Sequence, residues 1–91
     1  MNNETAAAKY KRARELLNKA REHLLAKRYE AVNHNLLQAA IDVQRSLEGI
    51  NSWGHRKVTP KNIDRFRSLF STLEERSVVL EKMLHHALEE R

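Results

Sequence analysis

Ninety-one residues make one domain, which buries only about 60–65% of the surface its unfolded chain exposes. Cysteine is absent, which excludes disulfides and thiolate metal sites. The net charge of +5 is uneven: residues 1–45 carry nine Lys/Arg against five Asp/Glu, a bias compatible with nucleic acid, an acidic protein surface or a solvated helix face.

Residues 1–5 are polar, and Thr5 or Asn3 is placed to cap a helix by accepting an orphan amide of its first turn. From there Ala6, Tyr10, Ala13, Leu17, Ala20 and Leu24 recur at steps of four and three. Such steps put all six on one helical stripe. The stripe predicts a helix over residues 6–27, widened by Leu16 and Leu25. Its alanines let a neighbouring helix approach closely. The register then slips, because the next strong apolar residues are Tyr29 and Val32. A tight hairpin is expected there; the alternative is one unbroken helix of over forty residues, far above the usual globular length.

A second stripe runs through Tyr29, Val32, Leu36, Ala39 or Ala40, Val43, Leu47 and Ile50. It predicts a helix over residues 29–48, stopped by Gly49, a residue suited to the left-handed conformation that ends many helices. Residues 49–60 hold both glycines, the only proline and the only tryptophan, and are expected to be an irregular connection. Trp53 then lies over the end of the bundle as a lid or stands out as an anchor for a partner. Thr59 and Pro60 restart the chain as N-cap and first helical residue. A third stripe follows, Ile63, Phe66, Phe70, Leu73, Ser77, Leu80, Leu84 and Ala87, predicting a long helix over residues 60–89. Together the stripes give an all-α, three-helix antiparallel bundle with a long third helix. The last turns of that helix are expected to project and to need cover from another copy or a partner.

Catalytic and metal signatures are missing. His23, His34, His55, His85 and His86 include no pair at i, i+4, the spacing that turns two imidazoles to one helix face. No Gly-rich phosphate loop or nucleophile elbow occurs. No run approaches the roughly 20 apolar residues that span a bilayer, and the opening MNNETAAAKYKR has no apolar segment with a cleavage site. A cytoplasmic protein without membrane contact, cofactor or metal, and not an enzyme, is expected. The remaining classes are binding modules. Phe66, Phe70, Leu80, Met83 and Leu84, aided by Trp53, are the expected contacts for an amphipathic helix of a protein partner or for a homo-oligomer. The alternative is a basic bundle that grips nucleic acid through Lys9, Lys11, Arg12 and Arg14, with Arg56 and Lys57 adding a loop contact.

Two resemblances bear on this choice. The residues Lys19-Ala20-Arg21-Glu22, Tyr29-Glu30-Ala31, Asn33-His34-Asn35-Leu36-Leu37, Ala39 and Ser46-Leu47 give residues 16–51 a pattern that resembles the flagellar export chaperones of the FliS family. That resemblance implies an antiparallel bundle whose apolar grooves hold a disordered export substrate in helical segments. The family's Ser-Pro ahead of its first apolar helix and its later Leu-Tyr-Tyr have no counterpart here. Arg28 and His34 also stand at the R-x(4–6)-H spacing of catalytic HEPN domains. In those domains the motif lies on a late helix, whereas here it falls at the start of the second. This second resemblance implies an RNA-directed bundle.

Overall fold

The computed structural model describes residues 5–27, 33–54, 57 and 59–89. They form three helices, α1 (Ala6–Lys27), α2 (His34–Gly54) and α3 (Ile63–Glu89), and no strand among the described residues. The fold is the expected all-α three-helix bundle. α1 and α2 are separate helices: the Arg21 guanidinium donates to Gln44 Oε1, whereas one continuous helix would hold those residues about 35 Å apart. Gly49 of α2 faces Leu69 of α3, and Ser46 faces Arg76, so those two helices are antiparallel. α1 and α3 run in the same direction, since Lys9 meets Glu74 and the groove between the two helices is lined from Lys9 to Lys19 and from Leu73 to Glu81.

α1 and α2 begin with side-chain oxygens that accept from orphan amides, and α3 begins from a hydrogen-bonded turn. Thr5 Oγ1 accepts from the Ala8 amide at 3.2 Å, one of the two caps expected for α1; the other, Asn3, lies outside the described residues. Asn33 Oδ1 accepts from the Asn35 and Leu36 amides at 3.2 and 3.3 Å, which makes Asn33 the N-cap of α2. Such a cap stabilises a helix by about 0.5–2 kcal/mol. The expected start of this helix at Tyr29 lies outside the described residues. Thr59–Pro60 opens a hydrogen-bonded turn ahead of α3: the Thr59 carbonyl accepts from the Ile63 amide at 3.0 Å. Asn62 Oδ1 accepts from the Thr59 amide at 2.7 Å, the reach-back half of a capping box.

The end of α2 corrects the expectation from sequence. The helix does not stop at Gly49 but continues to Gly54. Leu47 and Ile50 are both buried, and Trp53 extends their three-residue step, so packing against α3 carries the helix through a weak helix former. Trp53 consequently sits on the last turn of α2, partly buried, and not in a loop.

The core is Ala13, Leu17 and Ala20 from α1, Leu36, Ala39, Ala40, Val43, Leu47 and Ile50 from α2, and Leu73, Leu80, Leu84 and Ala87 from α3. One polar side chain joins it. Ser46 is buried, donates to the Asp42 carbonyl at 3.0 Å and accepts from Arg76 Nη1 at 3.0 Å. That bond pins the middle of α2 to the middle of α3.

The last turns of α3 do not project. Leu80, Leu84 and Ala87 are buried within the bundle, because α1 runs beside the C-terminal half of α3. The overhang is at the other end. Lys9 Nζ meets Glu74 Oε1 at 2.5 Å, which sets the near end of α1 level with Glu74. The preceding Ala6, Ala7 and Ala8 are all exposed. α3 therefore reaches about 15 Å beyond that level at 1.5 Å per residue, accompanied by the last turns of α2. No residue of α3 before Leu73 is buried.

Candidate partner-binding site

The overhanging α2–α3 hairpin gathers most of the aromatic side chains. Phe66 and Phe70, one turn apart, bring their rings to 4.8 Å between centroids at a 57° tilt, a favourable edge-directed geometry. Trp53 on the facing helix lies under the guanidinium of Arg65, 5.7 Å from the ring centroid, within cation–π range. Phe70 and Leu69 pack on the core. Trp53, Ile63 and Phe66 are partly buried beside them. Two helices supply this surface, whereas three enclose the rest of the core. Lys57, Lys61, Arg65 and Arg67 surround it and are exposed, with Asp64 3.9 Å from Arg67.

The expected contact residues thus separate into two groups. Trp53, Phe66 and Phe70 share the hairpin end. Leu80 and Leu84 are 0% and 5% exposed and belong to the core, so they offer nothing to a partner. Met83 packs against that core from its edge, far from the aromatic group. Periodicity places Phe66, Phe70, Leu80 and Leu84 on one stripe, but α1 covers only the C-terminal half of it. Arg65 was not legible as a site residue; its signal is its position one step before Phe66, facing the Trp53 turn.

A second surface lies between α1 and α3. It is a groove of about 450 Å³, floored by Ala13 and Leu16 of α1 and by Leu73, Ser77 and Val78 of α3. Val78 is 49% exposed. Lys9, Arg12 and Lys19 stand along the α1 side, with Glu15 among them, and Glu74 and Glu81 along the α3 side. The Ser77 hydroxyl is buried without a hydrogen-bond partner among the described residues.

The candidate nucleic-acid residues are distributed unevenly. Lys11, Arg12 and Arg14 are exposed on α1, whereas Lys9 is held by Glu74. Lys57 is exposed beyond the end of α2, and Arg56 lies outside the described residues. α1 carries seven Lys/Arg and two Asp/Glu, while α2 carries one and two and α3 four and five. The positive surplus is therefore a property of α1. His34 opens α2 and is exposed, and Arg28 lies outside the described residues, so the R-x(4–6)-H spacing brings no described pair together. Among the described residues no group of three His, Asp or Glu is placed to hold a metal ion. No helix among the described residues is long and apolar enough to cross a membrane. No protein-family model, curated protein or solved structure matches the chain.

Proposed function

We propose that this chain is a non-enzymatic protein-binding bundle, an adaptor or small export-type chaperone. In this reading it receives an amphipathic helix on the overhanging end of the α2–α3 hairpin. The observation that carries the reading is the overhang: Trp53, Phe66 and Phe70 collect where α1 no longer covers the hairpin. A helix laid there completes the three-helix cross-section, with its apolar face on the aromatic residues. The surrounding Lys57, Lys61, Arg65 and Arg67 favour acidic residues flanking that face. Trp53 is the only tryptophan and reports on its own surroundings by fluorescence. A model amphipathic peptide with a Leu/Ala face and Glu flanks is expected to shift Trp53 emission to shorter wavelength, saturably. The same peptide with Lys flanks binds at least about tenfold more weakly, and Phe66→Ser removes the response. A titration in which neither peptide moves Trp53 emission overturns the proposal.

The charge surplus of α1 favours a second reading, a basic bundle that binds RNA or DNA. Its sign is a steep fall in affinity for a single-stranded oligonucleotide with salt. Under that reading, neutralising Lys9, Lys11, Arg12 and Arg14 flattens the slope, and Phe66→Ser leaves it unchanged.

A further inference from the structure

Four cations surround the hairpin end, and Arg65 differs from the other three in what it touches. Lys57 and Lys61 are exposed, and Arg67 stands 3.9 Å from Asp64 on its own helix. The Arg65 guanidinium instead reaches across the hairpin to the ring of Trp53, 5.7 Å from its centroid. Attraction to a ring face satisfies part of the charge but supplies no oxygen acceptor for the N–H groups. Among the described residues Arg65 has no hydrogen bond or ion pair, and the acid next to it in sequence, Asp64, faces Arg67. A planar fork of donors is thus held beside an aromatic group with no acceptor of its own. Its natural complement is a carboxylate, which a guanidinium binds through two parallel hydrogen bonds. Lysine, a hydrated point charge, has no such fork. Contact with Trp53 also restricts a long side chain beforehand, so less freedom is lost when the carboxylate arrives. We propose that Arg65, seated on Trp53, is the carboxylate-binding point of the hairpin end, and that the docked helix meets it with one Glu or Asp at the margin of its apolar face. The inference rests on the helix-docking reading and puts a single anchor in place of a diffuse positive rim.

A peptide scan tests it. The probes are amphipathic helices with a Leu/Ala face and Gln flanks, carrying a single Glu that is moved from position to position along the flanks. Binding is read from the anisotropy of a dye on the peptide, so that Trp53 itself can be varied. The all-Gln peptide reports docking alone. One Glu position, or two positions a turn apart, is expected to raise affinity about fivefold over the all-Gln peptide, and the remaining positions by less than about twofold. Arg65→Gln removes that gain while the all-Gln peptide still binds. Arg65→Lys keeps the charge without the fork and retains less than half of the gain, and Trp53→Leu, which removes the seat, also reduces it. Lys82→Gln takes the same charge from the other half of α3 and leaves the gain unchanged. Circular dichroism of each variant establishes that it is folded. A gain spread evenly over all Glu positions, or one that survives Arg65→Gln, overturns the anchor and leaves helix docking standing. An all-Gln peptide that does not bind the wild type overturns the docking reading, and the anchor with it.

Discussion

Gly49 lies in the interior of a helix, where glycine is less favourable than alanine by about 0.5–1 kcal/mol. A Cβ added there meets only Leu69 Cδ2, at 4.0 Å, an ordinary van der Waals contact. Gly49→Ala is therefore expected to stabilise the protein by about 0.5–1 kcal/mol, measured by urea unfolding. Destabilisation would mean that the helix breaks at this residue, as a reading of the sequence alone expects. Glycine was a misleading stop signal because its local preference is weak beside the burial of Leu47 and Ile50. Thr5 was a reliable start signal because a cap acts through one local hydrogen bond, 3.2 Å long here. Asn33 is the same kind of signal, but the apolar pattern running through Tyr29 and Val32 obscured it.

At the scale of the helix, periodicity tells which side chains share a face but not how far along that face a neighbouring helix extends. The third stripe was legible residue by residue, and Leu73, Leu80, Leu84 and Ala87 are its buried members. Which end of α3 lacks a covering helix was not legible, because it depends on the level at which α1 docks. Two substitutions on that stripe separate the ends. Leu80→Ala removes a side chain with no exposure and is expected to cost about 2–5 kcal/mol. Phe66→Ala removes a partly buried ring and is expected to cost less, about 1–2 kcal/mol. Comparable losses at the two positions in thermal or urea unfolding would contradict the assignment of Phe66 to the overhang. The Ser46–Arg76 bond adds a fixed point between the ends, and no sequence pattern announces a serine in an aliphatic core.

The whole molecule is elongated, with extents of 48 × 29 × 16 Å and a radius of gyration of 14.6 Å, against about 12 Å for a compact domain of this length. The overhanging hairpin accounts for the excess at one end and also divides the molecule energetically. From Leu73 to Ala87, α3 contributes four buried side chains, and before Leu73 it contributes none. Segments with few buried contacts open locally at lower free energy than the core to which they are attached. Backbone amides of residues 48–54 and 63–70 are therefore expected to exchange with solvent deuterium faster than those of residues 39–47 and 76–86, by opening events that leave the three-helix part intact. Uniform protection along α3 would contradict this. A helix docked on Trp53, Phe66 and Phe70 slows exchange at the first set and leaves the second unchanged. The free protein is thus expected to keep weakly protected turns where only two helices pack, and part of the energy of a helix docked there would be spent on holding them closed.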